Sequence, residues 1–181
     1  MMKRFTILFV LTLFLISAAN AAEKLTGTGN LKFGWKFDRC VEAVGDVPRK
    51  RTVEEGLEKK FSYAPARWGR IEWDSSVLNF YKDKLYQIGF YKKTAKSDMT
   101  PFEQAKVILS AAYGKAVALK TKDCYMWRSP NGNIAILQYA AEEEAGKITG
   151  YATYLYLIDN KQVEKKAKAV EKEMQDIING N

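Results

Sequence analysis

The sequence predicts an α+β domain: an antiparallel sheet of about six strands from two α-βββ units, helices on one face, and a C-terminal amphipathic helix. Three observations lead there. Apolar residues recur at every second position in several short segments and at spacings of three and four in others, so strand and helix patterns coexist. Short polar turns join the alternating segments, which makes neighbouring strands antiparallel. With 47% hydrophobic residues and only four prolines, the composition suits a single globular domain, assigned to residues 31–181.

The chain opens with Met1-Met2-Lys3-Arg4, an apolar run over residues 5–16, and Ser17-Ala18-Ala19-Asn20-Ala21-Ala22. A basic start, a short apolar stretch and small side chains before a cut form the pattern of a secretory signal peptide. The run is shorter than the ~20 residues of a comfortable span and no second apolar segment follows. Residues 1–21 are therefore expected to be removed by cleavage after Ala21, leaving no integral membrane span; an uncleaved anchor is the competing reading. No cysteine follows the run, so lipoprotein processing is not expected. Cleavage removes two cations, Lys3 and Arg4, and lowers the formal charge from +8 to +6. The expected location is the periplasm or the extracellular medium.

Residues 22–30, with Gly27-Thr28-Gly29 and little apolar content, read as a flexible leader. Leu31, Phe33, Trp35 and Phe37 then alternate as one face of a short strand. Asp38 reads as the N-cap of a helix over residues 38–44, with Cys40, Val41 and Val44 on one stripe and Gly45 as its stop. Pro48-Arg49-Lys50-Arg51 reads as a basic loop, either a solvated turn or a contact for an anionic ligand. Residues 53–61 read as a second short helix, with Glu54 and Glu55 early and Lys59 and Lys60 late, matching the macrodipole.

Residues 71–73, 77–81 and 85–91 read as a three-stranded meander, the last two strands flanking Lys82-Asp83-Lys84. Thr100-Pro101-Phe102-Glu103 combines a capping threonine, a first-turn proline and a glutamate at the third helical position. The helix it starts buries Phe102, Ala105, Ile108, Leu109 and Ala112 and ends at Gly114. A hairpin of residues 124–128 and 134–139 follows, then a long strand over residues 148–158. Residues 161–179 are helical, with Val163, Ala167, Val170, Met174 and Ile177 on one stripe that either docks on the domain or meets a partner helix.

The absence of histidine removes Ser-His-Asp and Cys-His hydrolases, HExxH metalloproteases and His-ligated metal or haem sites. Two cysteines cannot build a four-cysteine centre. No phosphate loop or dinucleotide fingerprint is present, so neither a cofactor nor a metal is expected. In an oxidising compartment, Cys40 and Cys124 favour a disulfide, two separately buried thiols being the alternative. Closing a loop of about 85 residues would contribute about 4 to 5 kcal/mol in the chain-entropy account.

Gly34-Trp35-Lys36-Phe37-Asp38-Arg39-Cys40-Val41, with Gly45 and Pro48 and the later Phe80-Tyr81-Lys82-Asp83-Lys84-Leu85, resembles small bacterial envelope proteins of the SmpA/BamE-like (beta-lactamase-inhibitor-like) type. The resemblance covers about residues 33–91. It implies a non-enzymatic envelope protein that binds other proteins through its sheet or loops.

Glu72 and Asp74, two apart on one strand near Arg67, Trp68 and Arg70, are the candidate catalytic pair. A glycan-acting acid and base would need one of them shielded and raised in pKa; a solvated strand face is the competing reading. Trp68, Tyr151, Tyr154 and Tyr156 are the candidate binding residues, since aromatic side chains on a sheet stack on sugars, peptides or bases; ordinary sheet packing is the alternative. Export and the dispersed positive charge argue against nucleic acid. The expectation is a soluble exported binding protein with a protein or peptide partner in the cell envelope. A carboxylate-dependent glycan enzyme and an inhibitor of a secreted enzyme are the alternatives.

Overall fold

The computed structural model describes residues 22–94 and 97–178. The expected signal peptide lies outside these residues. In chain order the elements are β1 (Gly27–Thr28), β2 (Leu31–Lys32), α1 (Phe37–Val44), β3 (Arg49–Glu55), β4 (Glu58–Ala64), β5 (Ala66–Trp68) and β6 (Ile71–Trp73). They continue as β7 (Ser75–Tyr81), β8 (Lys84–Thr94), α2 (Thr100–Tyr113), β9 (Val117–Ala118), β10 (Cys124–Arg128), β11 (Ile134–Glu144), β12 (Lys147–Ile158) and α3 (Asn160–Ile178).

Eight strands form one antiparallel sheet in the order β3-β4-β7-β8-β12-β11-β10-β9, while β1-β2 and β5-β6 are separate two-stranded sheets. Each half of the large sheet is a meander of four strands behind one helix, and the halves join where β8 pairs with β12. The expectation of about six strands is thereby corrected: the large sheet alone has eight, and the protein is mostly β.

The added strands come from residues 49–64 and from the two-residue β9. Val53, Leu57 and Phe61 recur at a helical spacing of four, but Gly56 takes φ 56° and turns the chain back. Arg49–Glu55 then pairs with Glu58–Ala64, Thr52 opposite Phe61, so the stretch expected as a basic loop and a short helix is a hairpin. Conversely, Ile71–Trp73 leaves the meander and pairs with Ala66–Trp68 in the small sheet. That small sheet packs on Phe90, whose ring lies 5.5 Å from Trp73 and 6.5 Å from Trp68.

One face of the large sheet carries the main core. Leu78, Leu85, Ile88, Leu137 and Leu155 are fully buried there beneath α1 and α2. Phe37 of α1 meets Phe61 and Phe80 edge-on, and Phe102 of α2 lies 6.1 Å from Tyr139. Burial of Phe102, Ala105 and Leu109 agrees with the stripe read for α2, and Gly114, at φ 82°, ends the helix. The threonine cap does not form: Met99 is the capping residue, and Asp98 accepts a hydrogen bond from the Thr100 N–H at 2.9 Å.

α3 lies on the opposite face, which overturns the expectation of helices on one face only. Its Lys166 pairs with Glu58 at 2.6 Å and reaches the Tyr86 hydroxyl at 3.4 Å. Residues 22–30 are also pinned rather than loose: Leu25 is buried, and its carbonyl accepts from Asn131 at 2.9 Å and Asn133 at 2.8 Å.

Candidate functional site

Alternation along β11 and β12 sorts side chains cleanly. Ala135, Leu137, Leu155 and Leu157 are buried in the core, whereas Ile136, Gln138, Tyr154 and Tyr156 are half-buried on the other face. The strand register extends this second, outer face sideways. One row runs Gly89, Tyr156, Ile136, Met126; the next runs Tyr91, Tyr154, Gln138, Cys124. A period of two places these residues together on one pleated surface.

Tyrosines dominate its middle. The Tyr154 and Tyr156 rings are nearly parallel, 7° apart with centroids at 6.5 Å, and Tyr91 lies 5.5 Å from Tyr154. Tyr156 rests against Gly89, where an added Cβ would stand 3.4 Å from two ring carbons. Glu142 gathers the neighbouring polar groups. It accepts from the Tyr91 hydroxyl at 2.7 Å and the Tyr154 hydroxyl at 3.2 Å, and pairs with Lys93 at 3.2 Å. The Tyr91 hydroxyl, helped by Lys93 and Tyr154, holds the Glu142 carboxyl below the ordinary carboxylate range despite the opposing effect of desolvation. Desolvation and the Glu142 charge push the Tyr154 phenol up to about 12 and raise Tyr91 as well.

The surface continues into a groove of about 720 Å³ under α3. Ile134 and Ile158 form its sheet side with Tyr86, the extra residue of the β-bulge opposite Asn79 and Phe80. Val163, Val170 and Met174 of α3 line the other side. Val170 and Met174 remain 38% and 60% exposed, so the helix stripe is covered only in part.

The candidate binding residues therefore divide. Tyr154 and Tyr156 belong to the outer face. Tyr151 turns to the core face, where it stacks on Tyr139 with centroids 5.7 Å apart, and Trp68 packs toward Phe90. Tyr91, Glu142, Ile136 and Met126 were not singled out in the sequence. Strand alternation marked their faces, but only the β8-β12-β11-β10 register brings them side by side.

Glu72 and Asp74 do not share a shielded cleft. Glu72 pairs with Arg67 at 2.8 Å, both side chains about three-quarters exposed. Asp74 binds Lys92 at 2.9 Å and accepts from the Lys93 backbone N–H at 2.8 Å. Cys40 and Cys124, for which a disulfide was expected, are both free and buried in this structure. Among the described residues, no group of three or more His, Cys, Asp or Glu could hold a metal ion, and no helix is long and apolar enough to cross a membrane.

The arrangement is that of a mostly β protein with helices on both sides of one antiparallel sheet and an aromatic outer face. Compared with protein-family models, curated proteins and solved structures, the chain matches none.

Proposed function

We propose that this is an exported binding protein that holds a protein or peptide partner of the cell envelope against the outer face of its sheet. The observation that carries the reading is the half-covered strip of Tyr154, Tyr156, Ile136 and Met126, continuous with the apolar groove under α3. Aromatic and methionine side chains offer large contact areas with little conformational freedom to lose or with adaptable shape, which suits a protein-binding surface. An open face of this kind favours binding over bond breaking, because Glu72 and Asp74 sit in solvent-facing ion pairs without the shielding that an acid catalyst needs. Inhibition of a secreted enzyme is one form this binding can take.

The test is crosslinking in intact cells with a photoreactive residue at Met126 and, as control, at Val107 on α2, which is 67% exposed. A partner captured at Met126 but not at Val107, and lost on Tyr156→Ser/Ile136→Ser, is the expected result. Equal capture at both positions would overturn the reading. N-terminal sequencing of the envelope fraction should begin at Ala22.

A further inference from the structure

The two edges of the large sheet differ. β9 is only two residues long, whereas β3 presents seven residues, all exposed, with no strand on its outer side among the described residues. A free edge of that length leaves a row of backbone N–H and C=O groups unpaired, and proteins usually blunt such edges with charges. Here the charges have an order: Arg49-Lys50-Arg51 at one end, Glu54-Glu55 at the other, Thr52 in the middle. We propose that β3 pairs antiparallel with β3 of a second copy of this chain, with Thr52 on the two-fold axis.

That register sets Arg49 opposite Glu55, Lys50 opposite Glu54, and Arg51 opposite Val53 of the other copy. Two-fold symmetry makes every contact occur twice, so the strand is complementary to its own reverse. Opposite charges and threonine pairs directly across an antiparallel ladder are favourable, and the aliphatic stem of Arg51 can cover Val53, which is 43% exposed. A slip by two residues either sets Arg51 opposite Arg51 on the axis or keeps Arg51 opposite Glu55 as the one kind of charge pair, so the charge order also favours the register. Existing partners do not block it. Lys50 meets Asp46 at 3.2 Å and Glu54 meets Lys59 at 3.0 Å, but the acidic side chains are 100% and 61% exposed and such pairs exchange easily. Arg49 and Glu55 have no ion-pair partner among the described residues. The contact would use the sheet edge and leave the outer face free.

A single pair of short strands makes a small interface, so the association is weak and should be sought from ~10 μM to ~1 mM protein. Sedimentation equilibrium of the mature chain is expected to show a mass rising from one chain toward two across that range. Arg49→Glu should weaken the dimer about tenfold or more, and Arg49→Glu/Glu55→Arg should restore it, because the swapped charges again face each other. Unchanged melting temperatures would show that these exposed positions leave the fold intact. Under mild oxidation, Thr52→Cys should crosslink to itself across the axis while Val53→Cys should not, since only an axial position brings the two Cα atoms within disulfide reach. A chain that stays monomeric throughout, a dimer indifferent to Arg49→Glu, or failure of Thr52→Cys to crosslink would overturn the proposal.

Discussion

Cys40 and Cys124 lie on opposite faces of the eight-stranded sheet. Cys40 is the buried residue of α1 and belongs to the main core, whereas Cys124 pairs with Gln138 in a row of the outer face, three strands from β8. The sheet stands between the two thiols, and neither has a disulfide partner.

Both thiols should therefore react when the unreduced protein is denatured, and neither should react quickly while it is folded. Burial pushes the Cys40 thiol up to about 11 and raises Cys124, which keeps both protonated at neutral pH. Thiol labelling with and without denaturant checks this. A reductant should leave the melting temperature unchanged.

Glu142 should make stability depend on acid. Its pKa is depressed in the folded state, so the stabilisation is complete above the unfolded carboxylate range and is lost as pH falls through the lower folded value. Glu142→Gln should melt below the wild type at pH 7, and the gap should close in acid. Melting curves from pH 7 to about pH 3 give the comparison.

At the alkaline end the sign reverses. The folded protein holds the Tyr91 and Tyr154 protons to higher pH than the unfolded chain does. Their stabilisation is present below about pH 10 and declines as pH rises toward the folded pKa, about 12 for Tyr154. In a tyrosinate absorbance titration, Tyr91→Phe and Tyr154→Phe should each remove a late-titrating fraction.

Core and surface substitutions should separate sharply. Leu155 of β12 is wholly buried, and Leu155→Ala should cost about 2–5 kcal/mol in denaturant unfolding. Val107, 67% exposed on α2, should change stability by less than about 0.5 kcal/mol when replaced by alanine.

The sequence by itself determined the local elements whose signals are short-range. The α2 start at Thr100-Pro101, the hairpin around residues 129–133, and the alternation along β11 and β12 depend on neighbours within a few positions. It misled over residues 53–61 because Glu54-Glu55 ahead of Lys59-Lys60 matches a helix macrodipole, whereas Gly56 at φ 56° turns the chain back and the second strand, Glu58–Ala64, is held on its other side by β7, which the local pattern does not record. Tertiary structure alone decided which strands adjoin, that α3 covers the face opposite α1 and α2, and that the two cysteines are kept apart. Tyr154 and Tyr156 were legible as candidates from period two, yet Tyr91, Glu142 and Met126 join them only through the β8-β12-β11-β10 register. A periodic pattern records how often a side chain faces one way; it does not record which distant strand supplies its neighbour, and that choice is made by packing the whole sheet.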